Sequence, residues 1–239
     1  SRVKGALAMA GAGGGALNRD TFLTRIDGIM YGDDPKQGVI EGRTFMHPEF
    51  RLAFEAPDGF YMMNGTRAVS ISGQSGKGQL ASAAYSGSLD NYIKGVFNAL
   101  AGEGKTLAPS SISRTSVNGI PAAYGTARVS SGSGQVDVVV FAYEFANDRA
   151  FHFATVAPAG KGAVFNPMFN SMRRISSSDA AAIIPRRVDV ITVKSGDTVA
   201  SLAKRMAFGD AQEARFRVLN GLGANDTVQV GQKVKIVVK

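Results

Sequence analysis

Alternation of apolar and polar residues, repeatedly broken by turn-forming residues, is the sequence feature that most limits what this chain can fold into. Leu52 to Ala56 alternates and stops at Pro57-Asp58-Gly59, and Asn118-Gly119 separates two alternating runs at 111–117 and 120–129. A period of two places every second side chain on one face of a strand, and Asn-Gly favours a two-residue hairpin turn. Further strands are predicted at 68–72, 80–85, 136–145 and 151–156. The pattern predicts a mainly antiparallel sheet.

Three other segments have helical spacing. Residues 18–30 predict a short amphipathic helix, and 165–175 predict a closing helix interrupted early by Pro167. The strongest helical segment begins at Ser88, a suitable N-cap, and ends at Gly102. Its apolar residues recur every three or four positions, on one face of a helix: Leu89, Tyr92, Ile93, Val96, Phe97 and Leu100. The sequence therefore predicts an α+β fold, an antiparallel sheet with helices on one face.

The last fifty or so residues follow a separate strand–helix–helix–strand pattern. Residues 190–193 predict a strand, and Ser195-Gly196-Asp197-Thr198 predicts a turn that caps the next helix. A second helix is predicted at 213–220, ending at Gly221, and a final strand at 233–238. This order predicts a small βααβ domain.

That pattern resembles a lysin motif (LysM), a small domain that binds glycans containing N-acetylglucosamine. The resemblance implies a groove between the loop after the first strand and the loop before the last strand. Backbone amides and carbonyls of the groove would bond the acetamide groups of the glycan. The implied glycan-binding residues are Gly196, Asp197, Thr198, Val199, Val230, Gly231 and Gln232.

Three features of the same segment leave a purely structural interpretation open. The Gly-Asp-Thr and Gly-Gln residues are also what the turns and the helix cap require. The connection at 207–213 is longer than the usual helix–helix connection of the motif, and no aromatic residue follows Thr198 to stack on a sugar.

Length, charge and cysteine content restrict the number of domains, the kinds of site and the kinds of partner. A chain of 239 residues favours two domains. The absence of cysteine excludes disulfides, thiolate metal sites and a cysteine nucleophile. The net charge of +8 favours anionic partners, but the basic residues are scattered, so we expect no nucleic-acid partner. Nothing in the sequence approaches the roughly 20 apolar residues of a transmembrane helix.

A second resemblance comes from residues 25–38, RIDGIMYGDDPKQG, followed by Gly42-Arg43-Thr44-Phe45-Met46-His47-Pro48. These residues are similar to the region after the catalytic domain of bacterial BepA-like zinc metallopeptidases. Some of those proteins continue into an α/β sandwich like the photosystem protein PsbP, and then into a LysM-like tail. The implied domains are a helix and linker at 1–45 continuing from an upstream protease domain, a PsbP-like sandwich at 46–178, and a LysM-like domain at 186–239.

The zinc motif of such peptidases, H-E-x-x-H on one helix, is absent from this chain. The two histidines, His47 and His152, are more than a hundred residues apart and have no glutamate at ligand spacing. We therefore expect no catalytic residue, metal site or cofactor in this chain. The resemblance places the zinc in an upstream catalytic domain.

Two functions are compatible with these observations. In the first, the chain is the non-catalytic targeting or interaction region of a metallopeptidase in the periplasm or envelope of a Gram-negative bacterium, where it would serve protein quality control. Its LysM-like tail would bind peptidoglycan or envelope proteins. In the second, the tail is a structural or regulatory module that packs on the protease domain and binds no glycan.

Overall fold

The computed structural model describes residues 18–102, 105–132 and 134–239, and divides them into two units. The central unit contains residues 33–184, and the terminal unit joins residues 18–32 with residues 185–239. These units do not coincide with the predicted domains, because residues 33–45 are part of the central unit and residues 18–32 of the terminal unit. The predicted N-terminal segment before residue 18 lies outside the described residues.

The helices and strands are numbered in chain order. The helices are α1 (Arg19–Ile26), α2 (Leu89–Ala101), α3 (Asn166–Ser171), α4 (Ser177–Ala182), α5 (Val199–Ala203) and α6 (Gln212–Asn220), with 3-10 turns at Pro35–Gln37 and Gly162–Phe165. The strands are β1 (Val39–Glu41), β2 (Thr44–His47), β3 (Leu52–Glu55), β4 (Tyr61–Asn64), β5 (Val69–Gly73), β6 (Gly76–Ser82), β7 (Ser111–Val117), β8 (Ile120–Ser131), β9 (Gly134–Ala146), β10 (Arg149–Pro158), β11 (Arg173–Arg174), β12 (Arg187–Thr192) and β13 (Lys233–Val238).

A seven-stranded antiparallel sheet forms the centre of the central unit, in the order β4-β5-β6-β10-β9-β8-β7. The turn between β7 and β8 is the predicted one, since Asn118 and Gly119 have φ angles of 48° and 75°. Positive φ at both central positions is the requirement of a type I′ turn. The α+β fold class, with antiparallel sheets, is confirmed.

Helix α2 covers one face of this sheet. The side chain of Ser88 accepts a hydrogen bond from the Asn91 amide, as predicted for an N-cap. The buried stripe of α2, including Ile93 and Phe97, packs against small and branched residues of β8 and β9 such as Ala123 and Val140. The apolar spacing of the helix therefore matches the face of the sheet that it covers.

The other face of the sheet is covered by a second, four-stranded sheet in the order β1-β2-β3-β11, together with α3. Phe54 of β3 meets Phe153 of β10 edge to face at 4.9 Å between ring centroids. The prediction that helices lie on one face is wrong in this detail, because α3 packs opposite α2. The large aromatic residues on the second face of β9 and β10 are buried by α3 and the four-stranded sheet.

The predicted closing helix at 165–175 is also shorter than expected. Helix α3 ends at Ser171, and Arg173 and Arg174 pair with Ala53 and Leu52 of β3. This long-range pairing outcompetes local helical spacing. Strands β1, β2 and β4 were not predicted as separate strands.

The terminal unit contains the predicted βααβ elements. Strands β12 and β13 pair antiparallel, with Ile191 opposite Val234. Helices α5 and α6 contribute Leu202 and Phe216 to a core with Val234 and Ile236, and all four side chains are essentially inaccessible to solvent. The same unit includes α1, which contacts β12.

Candidate functional site

The two loops of the predicted groove meet at one end of the terminal unit. The Val193 amide donates to the Gln232 carbonyl at 2.9 Å, and the Gly231 amide donates to the Val193 carbonyl at 2.9 Å. The loop that starts at Lys194 therefore leaves β12 beside the turn at 229–232. The structure places the start of the first loop next to Gly231 and Gln232 of the second loop.

The first loop is held by its own side chains. Asp197 accepts a hydrogen bond from the Lys194 amide at 2.8 Å, which closes a turn in which Gly196 has a φ of 88°. Thr198 caps α5, since its Oγ1 accepts from the Ser201 amide at 3.1 Å and Ser201 Oγ accepts from the Thr198 amide at 2.9 Å. The side chains of Asp197 and Thr198 thus already accept hydrogen bonds from backbone amides within this segment.

The second loop is closed in a similar way. The Gln232 amide donates to the Gln229 carbonyl at 3.0 Å, and Gln232 Oε1 accepts from the Gln229 amide at 3.0 Å. Gly231 has a φ of 85°, a conformation that glycine adopts without a steric penalty. Sequence analysis missed Gln229, although the two glutamines flanking Val230-Gly231 were a visible signal of this closure.

What remains available to a ligand is mostly backbone. Val199 is a core residue, whereas Val230 is 72% exposed. Within the described part of the chain, the backbone groups of Gly196 and Val230 make no hydrogen bond. Among the described residues, the two loops therefore offer the backbone amide and carbonyl groups of Gly196 and Val230, together with the exposed side chain of Val230. This arrangement suits a neutral ligand with amide and hydroxyl groups.

The histidines lie elsewhere, on opposite sides of the seven-stranded sheet. His47, at the end of β2, stacks on Phe50 and accepts a hydrogen bond from the Phe50 amide at 3.3 Å. His152, on the α2 side of β10, lies 2.8 Å from the Tyr92 hydroxyl. Burial lowers the pKa of His152 to about 4 and raises the pKa of Tyr92 to about 12. Both histidines are buried, and the structure does not bring them together.

The described residues, 18–102, 105–132 and 134–239, contain neither a metal-binding cluster nor a membrane-spanning helix. No group of three His, Cys, Asp or Glu side chains in that part of the chain could hold a metal ion. The donor set of a peptidase zinc site is therefore not present among these residues. No described helix combines the length and apolarity needed to cross a bilayer.

The central unit contains a separate open cavity of about 740 Å³. Tyr124 and Phe141 stack on its floor, with their ring centroids 5.4 Å apart. At its rim Arg128 Nε donates to Asp137 Oδ1 at 2.7 Å, and this ion pair lowers the pKa of Asp137. None of the predicted site residues lines this cavity.

Comparison with known proteins identifies one family. The LysM domain model matches residues 191–237, so the chain carries a LysM domain, as the βααβ pattern predicted. A search of curated proteins gives no match.

Two solved structures are similar to this chain at 11% sequence identity. One is a crystal structure of a protein from Bacteroides thetaiotaomicron VPI-5482, with a TM-score of 0.43; the match covers 69% of this chain and 57% of that one. The other is the solution structure of cyanobacterial PsbP (CyanoP) from Synechocystis sp. PCC 6803, with a TM-score of 0.42; the match covers 60% of this chain and 98% of that one. Scores at this level do not establish a shared family.

Proposed function

We propose that the LysM domain binds the N-acetylglucosamine-containing glycan strands of peptidoglycan in the groove between residues 196–199 and 230–232. The observation that carries this proposal is the meeting of the two loops at Val193, with the backbone groups of Gly196 and Val230 free of hydrogen bonds to the described residues. Free backbone donors and acceptors in a shallow groove suit the acetamide groups of such a glycan. The side chains of Asp197, Thr198 and Gln232 support the loops, and Val230 contacts the sugar.

The domain's charge supports an envelope partner. From Arg186 onward the sequence has ten basic and five acidic residues, and Lys194 lies on the first groove loop with its side chain exposed. Such a surface attracts anionic wall polymers or lipid headgroups, with a strength that falls as salt is added.

We further propose that the chain is the non-catalytic targeting region of a zinc metallopeptidase in the periplasm or cell envelope of a Gram-negative bacterium. The support is the similarity of residues 25–38 and 42–48 to BepA-like proteins, together with the terminal LysM domain. The zinc and the catalytic residues would belong to an upstream domain. The coding sequence preceding Ser1 tests this role, because it must encode H-E-x-x-H.

Retention on purified peptidoglycan at moderate salt tests glycan binding. Val230→Glu places a charge in the groove without straining the backbone, and we expect it to weaken binding at least about tenfold, since a buried unpaired charge opposes association. Val218→Glu is the matched control, because Val218 is 84% exposed on α6 and lies outside both loops. The control should bind like the unchanged protein.

Three results would contradict the groove proposal: no retention of the unchanged protein, equal loss in both variants, or retention that disappears with added salt alone. The first would favour the alternative function, a structural module that packs on a protease domain. That alternative is supported by the use of Asp197, Thr198 and Gln232 within the loops, and by the absence of an aromatic residue after Thr198.

A further inference from the structure

The outer edge of β12 is occupied by a segment distant in sequence. The Val188 amide donates to the Ile29 carbonyl at 2.9 Å, the Gly28 amide donates to the Val188 carbonyl at 2.8 Å, and the Tyr31 amide donates to the Arg186 carbonyl at 2.7 Å. Met30 and Arg187 form an antiparallel bridge. Residues 28–31 thus pair with an edge that would otherwise expose unpaired backbone groups.

Helix α1 lies across the face of the same sheet. At its C-terminal end, Asp27 Oδ1 accepts from the Val190 amide at 2.9 Å, on the outer edge of β12. At its N-terminal end, Arg19 Nη2 donates to the Lys233 carbonyl at 2.7 Å, on β13. A helix of eight residues is about 12 Å long, and paired strands lie about 5 Å apart. The helix is therefore long enough to cross both strands.

Burial shows which face α1 covers. Successive strand residues point to opposite faces, and Ile236 and Val237 are both essentially inaccessible. Both faces of the sheet must therefore be covered. Helices α5 and α6 share a core with Ile236, and Val237 belongs to the same core. On the face of Val237, its partner Val188 and Leu23 of α1 are 8% and 3% exposed, and α1 contacts β12.

An aromatic contact fixes the end of the segment. Tyr31 meets Phe208 edge to face at 5.9 Å between ring centroids. The guanidinium groups of Arg186 and Arg215 lie 5.2 and 4.7 Å from the centroid of the same ring, within the range of cation–π attraction. Phe208 belongs to the connection at 207–213 that is longer than expected for a LysM domain. That extra length supplies the residue on which Tyr31 packs.

We infer that residues 18–32, which we call the clasp, are an integral part of the LysM domain's fold. They cover the outer edge of β12 and the face of the β12–β13 sheet on which α1 lies. The clasp and residues 185–239 form one cooperative folding unit, and the central unit is inserted between two paired strands of it. The clasp residues lie outside the 47 positions matched by the LysM model, 191–237. The occupant is the chain's own segment, because Tyr31 and Arg186 bring the two ends of the insertion together.

Hydrogen exchange in the full chain tests the inference. The Val188 and Val190 amides bond only to the clasp among the described residues, so Leu23→Asp should accelerate their exchange at least about tenfold. Phe22→Asp is the control, because Phe22 is the adjacent residue on α1 and is 58% exposed. It should leave both amides protected. Equal protection of these amides in Leu23→Asp and the unchanged protein would overturn the inference.

A cleavage experiment needs no change to the clasp itself. A site for a specific protease is inserted between Gly32 and Asp33, and the cut protein is analysed by gel filtration with light scattering. We expect the clasp fragment to stay bound at the mass of one chain. Release of the fragment would overturn the inference. Retention only at the mass of two chains would also overturn it, by assigning the occupant to a second copy.

Discussion

At the scale of single residues, His152 shows how burial changes the chemistry of a side chain. Tyr92 donates its hydroxyl proton toward His152 Nδ1 or the Ala150 carbonyl and accepts from the Ala83 amide. The neutral imidazole fits this buried site, because burial disfavours the charged imidazolium and lowers the pKa of His152. The histidine is consequently a structural residue that resists protonation.

Stability should therefore fall as the pH is lowered. An unfolded histidine takes up its proton near pH 6.5, but folded His152 does so only near pH 4. Between these values the unfolded state binds more protons, so the free energy of unfolding decreases as the pH falls from 6.5 to 4, by roughly 3 kcal/mol in total. Urea unfolding across this range measures the loss. His152→Asn should flatten the dependence, and an unchanged slope would contradict the assignment.

The side chain of Asn220 connects α6 to β13, and a substitution there gives a second test at the residue scale. Its side-chain amide donates to the Lys235 carbonyl at 2.8 Å and accepts from the Lys235 amide at 2.7 Å, closing the outer edge of β13. Asn220→Ala leaves both backbone groups unpaired and should lower the free energy of unfolding by about 1–3 kcal/mol. Asn225→Ala, at an exposed loop position, should change it by less than about 0.5 kcal/mol. Equal effects in denaturant titrations would contradict this role.

Much of the candidate site could be predicted from the sequence at this scale. Turn chemistry places Gly196, Asp197 and Thr198 correctly because each residue acts on neighbours only a few positions away. The contact of Val193 with Gly231 and Gln232 required the LysM resemblance, since it joins residues about forty positions apart. No local pattern distinguishes a side chain used by the turn from one offered to a ligand.

At the scale of elements, the contact between α2 and β8 depends on a missing side chain. A methyl group added at Gly125 of β8 would lie 2.9 Å from Pro109 Cβ, 3.0 Å from Ile93 Cγ2 and 3.1 Å from Phe97 Cε2. Gly95, within α2, has no heavy atom within 4 Å of the same position. The helix therefore lies close against the sheet at Gly125.

The two glycines should respond in opposite directions to alanine. Gly125→Ala forces α2 away from β8 and should lower the free energy of unfolding by about 1–3 kcal/mol. Gly95→Ala should raise it by roughly 0.5–1 kcal/mol, because alanine is the better helix former at an open position. Thermal unfolding of both variants measures the difference, and a change of the same sign in both would contradict this packing.

Elements with local signals were predicted well, and elements defined by distant partners were not. The hairpin at Asn118-Gly119 and the helix capped by Ser88 are determined by residues that are close together in the sequence. The end of α3 is set instead by the pairing of Arg173 and Arg174 with β3, more than a hundred positions earlier. Helical spacing at 165–175 could not reveal that competition.

At the scale of the whole molecule, the terminal unit is discontinuous in sequence. It is made from two segments, one at each end of the described residues. The sequence indicated a helix at 18–30 and a LysM domain at 186–239, but nothing in either pattern states that they join. Backbone hydrogen bonds such as that between Gly28 and Val188 have no residue preference. The boundaries at 45 and 186 were implied by the family resemblances, which do not describe this connection.

Removing the central unit should leave the terminal unit folded. We expect a chain in which residues 33–184 are replaced by a short Gly/Asn linker to keep protected amides at Gly28 and Val188, because Tyr31 and Arg186 already lie within hydrogen-bonding distance. Loop tips whose two ends are close tolerate such exchanges. Free exchange of residues 18–32 in this shortened protein would show that the central unit is needed to hold them.

The clasp also has a consequence for the order of events during synthesis. Arg19 and its partner Lys233 are 214 positions apart, and a ribosome adding about 5–20 residues per second needs roughly 10–40 s to span that distance. The central unit emerges complete in this interval and has a core of its own. Leu23 therefore stays exposed to solvent until the last strand leaves the exit tunnel. A chaperone that recognises short apolar segments on nascent chains would find its target in this helix.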